Sequence, residues 1–188
     1  MFYFQNATNF LAQAILGFAI YIILLRFWMQ WVRADFRNQL GQFVISATNP
    51  AVIPLRKVLP SIKTIDTATI VLGLIIALIK VFAFFALSDY GTPLPITYLL
   101  MSVGVFIKYS IYLFLGAIFI QIIASWVNPH SYHPILLVAR SVSDPILAPA
   151  RRLIPPLGGI DLSPIAVILF LQFTLRLIVA PLTRGFPL

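Results

Sequence analysis

Long apolar runs broken by short polar connectors organise the chain. Runs at residues 10–32, 65–87, 105–127 and 162–182 are each close to or above the length that crosses a bilayer, for which about 20 apolar residues suffice at ~1.5 Å of rise per helical residue. Apolar residues from 96 onward lead into the third run, which predicts a tilted helix or an interfacial piece ahead of it. Runs one and two are separated by a connector rich in Pro and basic residues, and so are runs three and four. Runs two and three are separated by SDYGTPLP, a turn without cations.

The two connectors are copies. Residues 49–69 read NPAVIPLRKVLPSIKTIDTAT and residues 144–164 read DPILAPARRLIPPLGGIDLSP. Displacing the first half by 95 positions, with no gap, lays Trp31 on Trp126, Pro50 on Pro145, Pro54 on Pro149 and Pro60 on Pro155. It also lays Arg56 on Arg151, Lys57 on Arg152 and Asp66 on Asp161. Apolar similarity alone would not bring prolines, cations and an aspartate into one register. The chain therefore reads as two tandem units, residues 1–95 and 96–188, each an apolar helix, a connector and a second apolar helix. The predicted fold is an all-α membrane protein built from duplicated two-helix hairpins, with four transmembrane helices and amphipathic Pro/Arg-rich connectors.

Within the first connector, residues 40–48 suit one or two amphipathic turns. Asn49 and Pro50 are then expected to restart the helix as cap and first helical residue, with Pro145 in the same role in the second copy. Pro54 is expected to bend or end that short helix. Asp66 and Asp161 are placed to cap the second helix of each unit, a carboxylate at the positive end of the helix dipole, with an ion pair to the connector cations as an addition to that role and cation or proton binding as the alternative. Trp28 and Trp31 close the first span where interfacial aromatics collect.

Charge sets the expected orientation. Arg33, Arg37, Arg56, Lys57 and Lys63 lie in the first connector, and Arg140, Arg151 and Arg152 in the second. By the positive-inside rule both connectors face the cytoplasm and both termini lie outside, so the units are parallel repeats. Arg184 and the outer-side cations Lys80, Lys108 and Arg176 run against that count. Residues 1–9 carry no cation, so the N-terminus is expected to be retained instead of cleaved as a signal. The net charge of +8 raises the possibility of nucleic acid, but cations placed between apolar runs argue for topology and lipid contact instead.

At the connectors the chain resembles the YggT family of small bacterial integral membrane proteins. The matching residues are Asp144-Pro145, Pro149, Arg151-Arg152, Pro155, Gly158-Gly159 and Ile160 to Pro164, together with the opening LLRFWMQWVRADF. The first connector departs from the fuller pattern, with Ser61, Lys63 and Thr64 in place of Pro and the two Gly. The resemblance implies a bacterial inner-membrane, multi-pass protein with no established enzyme activity or cofactor. It also implies links to osmotic or potassium homeostasis, to cell division and shape in the related YlmG group, and to cytochrome b6f biogenesis and nucleoid distribution in plastid relatives.

Candidate chemistry is sparse. There are no Cys and no Glu, which removes disulfides and thiol catalysis. His130 and His133 lack further ligands for a metal site. No nucleophile–base pair, paired carboxylates or phosphate loop is present, so neither an enzyme nor a cofactor is expected. The basic pairs Arg56-Lys57 and Arg151-Arg152 are candidates for binding anionic lipid headgroups or a membrane protein partner, beside the plainer role of fixing topology. Arg26, Lys80, Lys108 and Arg176 lie inside apolar runs. Such charges are functional candidates, but snorkelling to the interface is the simpler expectation. The leading function is a non-enzymatic inner-membrane accessory, assembly or scaffold protein, with homo-oligomers possible in principle. The alternative is a transport or channel role in osmotic adaptation.

Overall fold

A computed structural model describes residues 2–62, 64–88, 91–127, 132–155 and 161–183. Lys63, His130, Gly158, Gly159, Ile160 and Arg184, named above, and Asp89 of the SDYGTPLP turn lie outside the described residues. The described chain forms six main helices: α1 (Phe2–Trp31), α2 (Gln39–Arg56), α3 (Thr67–Ala86), α4 (Pro95–Val127), α5 (Pro134–Leu153) and α6 (Ser163–Thr174). A π turn (Leu175–Val179) and a last turn (Ala180–Leu182) continue α6.

Helices α1, α3, α4 and the continued α6 are long and apolar enough to cross a membrane. Exposed Phe10, Phe18, Phe82, Phe119, Phe170 and Phe173 on them are what an apolar solvent permits. The protein is thus an all-α membrane protein of duplicated hairpins. Helix α1 begins at Phe2, earlier than residue 10, and its 30 residues make about 45 Å. Helix α4 is one rod of 33 residues, about 50 Å, with no separate lead-in piece.

Tertiary burial overrides proline in the connectors. The expected restart at Asn49-Pro50 does not occur: α2 runs unbroken through Pro50 and Pro54, and α5 through Pro145 and Pro149. All four prolines lie on the exposed side of their helices, so the main-chain bonds they forfeit are away from the core. The opposite side of α2 buries Gly41, Val44, Thr48 and Val52, a stripe at helical spacing. Losing that face would cost more than two absent hydrogen bonds. Pro50 and Pro145 are therefore interior helical residues.

The connector helices do not lie apart from the spans. Val52 of α2 packs with Ile23 and Ala68. Val138, Val142 and Leu147 of α5 pack with Met29, Ile111, Phe114, Ile118, Val167 and Leu171. A further cluster of Ile20, Leu24, Ala77, Val81 and Val105 joins α1, α3 and α4. Trp28 turns in against Phe114, ring centroids 4.6 Å apart, while Trp31 stays exposed.

The π turn in the last span was not expected. Pro181 lacks an N–H, and its ring would press on the Leu177 carbonyl in a regular helix. One wide turn ahead of it, with the Ala180 N–H on the Leu175 carbonyl, accommodates the ring. Arg176 sits in that turn.

Candidate docking face and its internal latches

Each connector helix is fixed at three levels, and the two sets are 95 residues apart. At the start, the Asn38 side chain accepts the Gly41 N–H at 2.8 Å, and His133 Nδ1 accepts the Ile135 N–H at 3.3 Å. Both residues occupy N-cap positions, where a side-chain acceptor satisfies a free amide.

In the middle, a polar side chain of the preceding span crosses to the connector. Arg26 Nη1 donates to Thr48 Oγ1 and to Asn49 Oδ1, the latter at 2.9 Å. In the second unit Gln121 Nε2 donates to Ser143 Oγ. Thr48 and Ser143 pass their own hydroxyl protons to the Val44 and Ala139 carbonyls. Asn49 thus receives a hydrogen bond from a span instead of capping a helix.

At the end, an arginine pairs with an aspartate ten residues on. Arg56 Nε lies 3.2 Å from Asp66 Oδ2, and its Nη2 donates to Gln30 Oε1 at 3.0 Å. Thr69 Oγ1 donates to the same carboxylate. Arg151 Nε lies 3.0 Å from Asp161 Oδ2, and its Nη1 reaches Asp144 at 3.3 Å. The copies differ in burial: the Asp66 side chain is 0% exposed and that of Asp161 is 43% exposed. Burial alone would raise the Asp66 carboxyl, but the bonds from Arg56 and Thr69 and the Arg56 charge outweigh it and hold it below the ordinary carboxylate range. Asp161 is shifted the same way: burial raises it, and Ser163 and Arg151 more than offset that.

Neither aspartate caps its helix in the expected way. Asp66 occupies the N-cap position of α3, yet it binds Arg56 and the Thr69 hydroxyl and makes no side-chain cap bond. Asp161 stands one residue before the N-cap Leu162 and accepts the Ser163 N–H at 2.9 Å.

These latches sort the basic pairs. The first member of each, Arg56 and Arg151, is paired with a carboxylate, Arg56 half-buried and Arg151 at the surface. The second, Lys57 and Arg152, is exposed and pairs with no carboxylate among the described residues. Helices α2 and α5 touch, and the two exposed cations occupy equivalent places at their C-terminal ends. Arg33 and Arg37 are also exposed at the start of the first connector.

Intramembrane cations depart from the snorkelling expectation. Arg26, Lys80 and Lys108 are only 5%, 4% and 8% exposed. Lys80 Nζ donates to the Gln13 carbonyl at 2.6 Å, and Gln13 Nε2 returns a bond to the Lys80 carbonyl at 3.1 Å. The Lys80 ammonium also lies 5.7 Å from the Tyr109 ring centroid. Hydrocarbon offers a charge no hydrogen-bonding partner, so partners inside the bundle draw Arg26 and Lys80 in, while Lys108 lies against the Tyr112 ring. Arg176 alone of the four is exposed.

An apolar groove of about 390 Å³ lies where the units meet. Its walls repeat the 95-residue offset: Tyr21 with Gly116, Ile22 with Ala117, Leu25 with Ile120, Leu40 with Ile135 and Val44 with Ala139. The groove therefore follows the relation between the repeats. Sequence reasoning passed over Gln30, Thr48, Thr69, Gln121 and Ser143. The signal was available, because the same displacement places Arg26 on Gln121 and Thr48 on Ser143, alike in polarity though not in identity.

The CCB3/YggT family model matches the chain twice, over residues 5–87 and 100–182. The chain is 37% identical to an uncharacterised protein of Pseudomonas aeruginosa, over 93% of this chain and 89% of that one. It is 35% identical to the uncharacterised protein YggT of Escherichia coli, over 89% and 86%. A Vibrio alginolyticus protein is 33% identical over 90% and 91%. No solved structure matches it. With the family model matching both copies and relatives alike over most of their length, the chain belongs to the CCB3/YggT family.

Proposed function

We propose that this protein is a non-enzymatic accessory or scaffold protein of the bacterial inner membrane, and that its connector helices dock anionic phospholipid headgroups on the cytoplasmic side. The observation carrying this reading is the sorting of the basic pairs. Arg56 and Arg151 hold the connectors to the spans, which leaves Lys57 and Arg152 exposed at equivalent places on touching helices. Cations near an anionic leaflet contribute about 1 kcal/mol each, and two fixed on a rigid scaffold act together. The scaffold is then the membrane-held part and the basic face its attachment point.

Lys57→Glu combined with Arg152→Glu is expected to leave insertion and thermal stability unchanged. The phosphatidylglycerol retained per chain after purification in mild detergent falls about thirtyfold, as two cations near a headgroup layer at about 1 kcal/mol each predict. Unchanged retention contradicts the reading. A phosphatidylglycerol loss equalled by phosphatidylcholine contradicts it too, because charge would not be the cause. A transport role in osmotic or potassium homeostasis is the second reading. The buried cations disfavour potassium as its cargo, since Arg26, Lys80 and Lys108 all repel it.

A further inference from the structure

At the end of the bundle away from the connectors, the two units differ in a way the docking role does not use. In the first, one cation is satisfied: Lys80 is locked to Gln13. The equivalent positions in the second unit are Lys108, in place of Gln13, and Leu175, in place of Lys80, with Arg176 next to it. The amide has become a second cation.

Lys108, Arg176, Gln172 and Tyr112 line a cavity of about 270 Å³ between α4 and the π turn. The Lys108 ammonium is buried and lies 5.6 Å from the Tyr112 ring centroid. Among the described residues no hydrogen-bond acceptor or carboxylate reaches it or Arg176. The described aspartates Asp35, Asp66, Asp144 and Asp161 all lie at the connector end.

The depth also suits a headgroup. A Cβ on Gly104 would touch Leu182 and Thr183, so this level marks the end of the last span. Lys108 lies one helical turn deeper, and Arg176 six residues before Leu182, about 9 Å. That is within reach of the boundary between acyl chains and phosphates.

We infer that Lys108 and Arg176 form a binding site for a phosphate-bearing anion at the connector-distal end of the bundle. Arg176 offers a planar fork that matches phosphate oxygens, and Lys108 a point charge on the same cavity wall. The Gln172 amide and the Tyr112 hydroxyl are further donors on the cavity wall. A buried Lys108 ammonium with no acceptor among the described residues is costly, and an anion held by it and Arg176 offsets that cost. The phosphate can come from a phospholipid of that leaflet or from solution.

The test uses the full-length protein in delipidated detergent micelles. Phosphatidylglycerol is titrated in one arm and inorganic phosphate in the other, with binding read by native mass spectrometry. Wild type is expected to bind one anion about tenfold more tightly than Arg176→Gln, the loss of one charge-assisted hydrogen bond. Arg176→Lys should recover part of it, and Lys108→Met should lose as much as Arg176→Gln. Arg176 is exposed, so Arg176→Gln keeps the test valid if Lys108→Met does not fold. Binding in the lipid arm alone assigns a phospholipid, and binding in both arms assigns phosphate as such. Lys57→Glu with Arg152→Glu lowers lipid retention through the connectors but should leave the Arg176-dependent difference intact, so either site can fail alone. Equal affinity of wild type and Arg176→Gln in both arms overturns the inference.

Discussion

Arg56→Ala is expected to lower the unfolding free energy by about 3 kcal/mol, the lower end of the range for stranding a buried charge. The lower end applies because the Arg56 side chain is itself 36% exposed, while Asp66 has no access to water at all. Arg151→Ala should cost only about 1 kcal/mol or less, since Asp161 and Asp144 are both well exposed. The two residues occupy equivalent places in the repeat, so the asymmetry isolates burial from sequence context. Thermal midpoints in one fixed detergent would reveal it. Acid provides an independent check. The folded Asp66 carboxyl lies below its ordinary range. Its contribution is therefore complete above the unfolded carboxylate pKa, near ~4, and is lost as pH falls through the lower folded value. Asp66→Asn should remove that acid-side component. Equal losses for Arg56→Ala and Arg151→Ala would refute the buried latch.

Gly41→Ala is the second large effect. A Cβ there would stand 2.7 Å from the Phe36 Cα and 2.8 Å from its carbonyl oxygen. These are backbone atoms of the turn leading into α2, so they cannot swing aside as a side chain can. Overpacking of this kind costs about 1–3 kcal/mol. Displacing the turn also threatens the Asn38 cap on the Gly41 N–H, worth about 1 kcal/mol. Gly116→Ala is the matched control: nothing lies within 4 Å of its Cβ position, and the groove beside it has room. Near-neutral stability for Gly116→Ala with a clear loss for Gly41→Ala is the expected pattern, read from the same thermal midpoints.

The spans and the duplication were legible because both rest on strong, repeated signals. Hydrocarbon length fixes the apolar runs, and prolines, arginines and aspartates align at one offset. The continuity of α2 and α5 was not legible. Proline chemistry argues locally for a break at Pro50, and only the buried stripe from Gly41 to Val52, which needs its partners in space, reverses that. Intramembrane cations were misjudged for the same reason. A sequence shows that Lys80 is long enough to reach the interface, but not that the Gln13 carbonyl lies closer. The latches were half visible: an ion pair of Asp66 and Asp161 with the connector cations was considered beside capping, but which cation would pair was not assigned, and Arg56 was read as a docking residue. Their spacing of ten residues, repeated at Arg151 and Asp161, was the unused clue.

The docking account depends on both connectors lying on one side of the membrane. Because the chain contains no cysteine, single cysteines report position without background. Val58, Leu153 and Leu94 are exposed sites near the ends of the two connectors and in the opposite turn. In spheroplasts, an impermeant maleimide should label Leu94→Cys and spare Val58→Cys and Leu153→Cys until the membrane is permeabilised. Labelling of Val58→Cys and Leu153→Cys from opposite sides, or of both in intact spheroplasts, would contradict parallel repeats with a cytoplasmic basic face.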